Sequence, residues 1–192
     1  MIGKSLYLGE KIRLTALDVE KDASTLSKWT DQHAFDRRIN FGMYRLISEY
    51  EMKKLLADKL KKAEEGGREL YFAVRLVSED DLVGLAKIMD IYAANQVGNL
   101  QVDFGEPADL LRYGDELVEM MVRYSFMEIS LYRLQAFCSA YETDLMALLE
   151  RHGFMKDVQR REAVFHSGKY WDTYIYGILR GEYLYLEEVR AK

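Results

Sequence analysis

Asp103 and Glu106 stand three residues apart at the end of the alternating run NLQVDFGEP. Carboxylates at a strand end are the type of group that removes a proton as a general base, and equally the type that simply sits solvated there. A second apolar run, LQAFCSA, leads into Tyr141 and Glu142, and a phenol beside a turn is able to donate a proton. Cys138 is the single cysteine, which excludes an internal disulfide and a thiol-only metal site; within an apolar run it packs as a small hydrophobe more readily than it acts as a nucleophile. His33, His152 and His166 are too scattered to make a metal site. Gly168-Lys169 lacks the preceding glycine of a phosphate-binding loop and reads as a hairpin turn.

The elements that must position these groups follow from periodicity and punctuation. Residues 6–17 read as a strand, with Ile12, Leu14 and Ala16 on one face. Asp18 is placed to cap a helix carrying Leu26 and Trp29. Ser48 and Glu51 form a capping box for a helix striped by Met52, Leu55, Leu56 and Leu60 and closed by Gly66-Gly67. Three strands at 70–77, 82–91 and 100–104 make a meander. A long helix from about 109 to 129 carries Leu117, Met120, Met121 and Tyr124 at helical spacing, and a strand (134–139), a helix (143–152) and two strands around Ser167-Gly168 follow. This order predicts one domain over 1–192 in the α/β (α+β) class: a mixed, mostly antiparallel central sheet flanked by about four helices.

Three segments make the chain resemble the GNAT superfamily of acyl-CoA N-acetyltransferases, and within it the Rim-type branch. They are WTDQHAFDRRINFG from Trp29, the stretch from Tyr124 that ends Glu150-Arg151-His152-Gly153-Phe154, and Arg161-Glu162-Ala163 through Gly168-Lys169-Tyr170-Trp171-Asp172. The resemblance spans residues 6–184. It implies transfer of acetyl from acetyl-CoA, as co-substrate, to a primary amine: a protein N-terminus, a polyamine or another small amine. Asp103 or Glu106 would then take the amine proton, with Tyr141 near the departing thiolate. Backbone at Val102 and Phe104 would face the oxyanion, and amides at Arg112, Tyr113, Gly114 and Asp115 the pyrophosphate. Glu142 falls where the family holds the pantetheine arm. Trp29, Phe41 and Tyr44 would line the acceptor, with aromatic packing of the first helices as the alternative.

The chain departs from the family pattern at several of these positions. Where the family's phosphate loop has glycines, this sequence has Leu110 and Arg112, with Asp109 before them; only Gly114 is kept. Glu142 stands for an asparagine and Leu149 for the tyrosine that protonates the thiolate. These departures support a second reading, a GNAT-fold binding or regulatory module that has lost tight acetyl-CoA binding.

A formal net charge of −5, without a dense basic block, speaks against a nucleic-acid surface. The absence of an apolar N-terminal core or a long apolar run predicts a cytoplasmic protein with no membrane partner. Pairing of two copies through an exposed end of the sheet is common in the implied fold, so a homodimer is carried as an expectation.

Overall fold

The computed structural model describes residues 5–31 and 45–191. Its elements in chain order are β1 (Ile12–Thr15), α1 (Val19–Trp29), α2 (Glu49–Gly66), β2 (Leu70–Leu76), β3 (Leu82–Tyr92), β4 (Val97–Phe104), α3 (Pro107–Met127), β5 (Arg133–Ser139), α4 (Thr143–Arg151), β6 (Met155–His166), β7 (Lys169–Leu179) and α5 (Arg180–Arg190). Seven strands form one sheet in the order β1-β2-β3-β4-β5-β7-β6. Every neighbouring pair is antiparallel except β4 and β5, which run parallel. Parallel neighbours need a crossover, and α3 supplies it.

Local chemistry accounts for the helix ends. The Asp18 carboxylate accepts from the backbone N–H of Glu20 and Lys21, and Ser48 with Glu51 completes the expected capping box. Gly67 closes α2 at φ 59, a left-handed conformation. One face of the sheet packs on α1 and α2 through Leu26, Trp29, Met52, Leu56 and Leu85. The other packs on α3, α4 and α5 through Leu100, Val102, Val118, Met121, Leu134, Leu148 and Tyr183, among others.

Four expectations need correction. The first strand spans only Ile12–Thr15, because the preceding residues turn back along it, the Leu14 N–H donating to the Tyr7 carbonyl and the Gly9 N–H to that of Ile12, and strap onto α3. There the Glu116 carboxylate accepts from the N–H groups of Glu10 and Lys11, and Arg123 donates to the Ser5 carbonyl. The third strand of the meander begins at Val97 instead of residue 100. α3 starts at Pro107, a residue suited to a first helical position, not at about 109. A fifth helix among the described residues, α5, closes the chain: its alternating Tyr-Leu-Tyr-Leu stretch obscured a helical period, yet Glu182 accepts from the Leu179 N–H and Tyr183 stacks on Phe126.

Between α1 and the sheet lies a buried ion pair. Arg75 of β2 donates from Nη2 to Asp22 Oδ1 at 2.6 Å and from Nε to Thr15 Oγ1 at 3.0 Å, with the two charged side chains 5% and 1% exposed. Removing one partner of such a pair strands a charge in low dielectric. Asp22→Ala is therefore expected to lower unfolding stability by about 3–5 kcal/mol, read as a fall in the urea midpoint at unchanged slope.

Candidate active site

The site is built where β4 and β5 part. Their parallel register runs from Val97↔Arg133 to Leu100↔Ala136 and then stops, although β4 continues to Phe104 and β5 to Ser139. Crevices beyond the carboxyl ends of parallel strands are where α/β proteins place ligands. The Gly105 N–H donates to the Val83 carbonyl of β3 at 3.0 Å. Because successive residues of a strand turn to opposite neighbours, Asp103 also points its backbone to β3. Val102 and Phe104 point theirs to the β5 side, across the opening.

Asp103 is buried, and its side chain lies on the α1/α2 face with that of Lys87, whose Nζ is 3.3 Å from Asp103 Oδ2. Gln101 Nε2 also donates to that oxygen at 2.6 Å. Glu106 is exposed at the N-cap of α3, directly beyond β4, and makes no side-chain cap bond. Trp29, at the end of α1, packs its indole over Gly105, where any Cβ would collide with the ring. The acceptor-side tryptophan is thus brought to the end of β4 through a contact only glycine allows. Phe41 and Tyr44, expected beside it, lie outside the described residues, as does His33.

Tyr141 sits just past the end of β5, its ring 4.5 Å from that of His166 and 5.5 Å from that of Trp171, edge-on to the latter. Trp171 Nε1 donates to the His166 carbonyl, and Lys169 Nζ lies 3.7 Å over the Trp171 ring. Glu142 caps α4 by position, but its carboxylate turns back to accept from the Ser139 N–H at 2.7 Å. Leu149 is 1% exposed in the core.

At Arg112, Tyr113, Gly114 and Asp115, expected to present amides to pyrophosphate, the chain is helical. Their N–H groups belong to the second and third turns of α3, where the helical ladder engages each one. Gly114 serves packing: a Cβ there would stand 2.8 Å from Leu148 Cδ2 of α4. Arg112 is mostly exposed and lies 3.5 Å from Asp109; Asp109 is nearly buried, and that burial raises its pKa. Asp115 binds Arg151 at two points, 3.0 and 3.1 Å, and His152 Nε2 at 3.1 Å. The Arg151 guanidinium holds the Asp115 pKa below the ordinary carboxylate range.

Two features of the site escaped the sequence. Lys87 inside the run LVGLAKIMD was a signal for a buried ion pair, though its partner was not. Phe137 is 48% exposed in the middle of β5. It shares a face with Ile175 of β7 and Val158 of β6, so the α1/α2 side of the sheet carries exposed apolar side chains beyond β4.

A family model described as an acetyltransferase (GNAT) domain matches residues 11–155. The chain belongs to this family. Among curated relatives, the probable N-acetyltransferase YjcK of Bacillus subtilis (strain 168) is 29% identical over 189 residues, covering 92% of this chain and 95% of the relative. The prophage-derived uncharacterized N-acetyltransferase YokL of the same organism is 24% identical over 132 residues, covering 69% and 71%. The crystal structure of spermidine N-acetyltransferase from Vibrio cholerae in complex with CoA and spermine superposes with a TM-score of 0.74 at 21% identity, over 90% of this chain and 98% of that one. That likeness establishes the GNAT fold. No described helix is long and apolar enough to cross a membrane.

The α3–α4 clasp makes a pH prediction. Burial is the largest influence on His152 and lowers its pKa below 6.5, outweighing Asp115. The unfolded chain therefore binds this proton first, and stability present above the unfolded pKa is lost as pH falls toward the folded one. Between about pH 7.5 and about pH 5, the melting temperature of wild type should fall more than that of His152→Asn, measured by thermal denaturation in matched buffers.

Proposed function

We propose that this protein transfers an acetyl group from a pantetheine thioester, acetyl-CoA being the family's co-substrate, to a primary amine: a protein N-terminus or a small amine such as a polyamine. The observation that carries this is the parting of β4 from β5 after Leu100↔Ala136 in a chain of the GNAT family. It leaves an opening with the Val102 and Phe104 backbone along one side, where an extended arm would lie beside a strand.

The chemistry asked of the site is an acyl transfer that balances within the two substrates. The amine nitrogen attacks the thioester carbonyl carbon, the oxygen takes negative charge, and collapse breaks the C–S bond. In this reading the Phe104 N–H faces the oxyanion, a donor fixed before the charge appears. Asp103 is already engaged by Lys87 and Gln101, so its role is to hold the end of β4. Glu106, exposed at the mouth, accepts the proton that the attacking amine loses. Tyr141, past the end of β5, returns a proton to the departing thiolate, the task that Leu149 cannot perform. The acceptor approaches on the α1/α2 side, between Trp29 and the face bearing Phe137. A polyamine acceptor draws support from the Vibrio cholerae protein, solved with spermine.

The second reading, a binding or regulatory module, is favoured by the Glu142 carboxylate closing on the Ser139 N–H and by the helical start of α3. A single assay separates the two. Incubation with acetyl-CoA and a panel of spermidine, other small amines and peptides with free N-termini, followed by thiol release and product mass, should give an N-acetylated product. Glu106→Gln should lower kcat by about 10²–10⁴-fold while leaving KM nearly unchanged. Absence of transfer to every class of amine would favour the module.

A further inference from the structure

Resting on the acyl-transfer reading above, we infer that the donor is recognised by its pantetheine arm and not by its phosphates, so that acyl-pantetheine thioesters lacking the nucleotide serve as donors too. β4 and β5 are parallel, so both helices that follow them, α3 and α4, begin at the same end of the sheet, above the opening. A nucleotide continuing from an arm in the opening has to pass these two N-termini. Helix N-termini attract anions through free N–H groups and the helix dipole, but here each carries two carboxylates: Glu106 and Asp109 on α3, Glu142 and Asp144 on α4.

The donors are reduced as well. Pro107 has no N–H, and that of Asp109 goes to the Glu106 carbonyl at 3.0 Å. From Arg112 to Asp115 the amides are inside the helix. Three cations among the described residues are already engaged. Arg112 lines the groove that α3 shares with residues 5–11 and leans on Asp109. Arg151 is held at two points by Asp115, and Lys169 lies on the Trp171 ring. Gly114, the one glycine that would permit close approach of a phosphate, is packed against Leu148. The sides of the opening, by contrast, are strand backbone, the chemistry that an uncharged amide-bearing arm requires, and the Glu142 carboxylate at its β5 side is taken up by the Ser139 N–H.

The test is calorimetric titration of the full chain with CoA, pantetheine and adenosine 3′,5′-bisphosphate at about 50 and about 300 mM salt. Dissociation constants for CoA and pantetheine within about threefold of each other, no heat from the bisphosphate and no weakening of CoA binding by salt are the expected results. The double variant Asp109→Asn/Asp144→Asn should tighten CoA about tenfold and leave pantetheine unchanged, a gain that misfolding cannot imitate. CoA binding more than about a hundredfold tighter than pantetheine, or bisphosphate binding that weakens with salt, overturns this inference and leaves amine acetylation standing. Failure of both CoA and pantetheine to bind overturns the acyl-transfer reading itself and this inference with it.

Discussion

Two strands that begin as hydrogen-bonded neighbours and then separate are costly unless something else holds each of them, and the parting of β4 from β5 is the constraint around which this molecule is arranged. Up to Leu100↔Ala136 the two are one sheet; beyond it each is held from its other side. β4 stays registered with β3 to Phe104, and β5 with β7 to Ser139↔Thr173. Backbone groups that leave a ladder inside a protein need other partners, and at Ser139 the Glu142 carboxylate supplies one.

The packing on the two faces keeps the opening apart. On one side Trp29 sits on Gly105 and the Lys87–Asp103 pair anchors the last residues of β4. On the other, Leu148 of α4 fits against Gly114 of α3, and the Asp115 clasp on Arg151 and His152 ties the third turn of α3 to the C-terminal end of α4. Both arrangements depend on a glycine with an ordinary backbone conformation, used for the close approach it permits. The two helices that start above the opening are thereby packed on each other, with Glu106 and Asp109 at the start of one and Glu142 and Asp144 at the start of the other.

Much of this was legible in the sequence where the signal was local. The Asp18 cap, the Ser48–Glu51 box, Gly67 and the Ser167-Gly168 turn each act within a few residues, and each marks the element it was expected to mark. The element order sufficed for the mixed, mostly antiparallel sheet. What escaped depends on partners far apart in the chain. Asp115 meets Arg151 and His152 thirty-six and thirty-seven residues away, and Glu116 meets Glu10 and Lys11 more than a hundred residues back. Gly114 looked like the remnant of a phosphate loop because a glycine at a helix start and one at a helix–helix contact are indistinguishable in sequence; only the helical state of Asp109 to Asp115 separates them. α5 was hidden because its alternating Tyr and Leu residues imitate the period of a strand.

Whether the opening between β4 and β5 receives the thioester arm is tested by backbone amide NMR during titration with S-acetylpantetheine. Saturable shifts centred on Val102, Phe104 and Ser139 are expected, with the amides of Arg112 to Asp115 little changed. Shifts confined to the groove between α3 and residues 5–11, or none along β4 at saturation, would contradict binding in the opening.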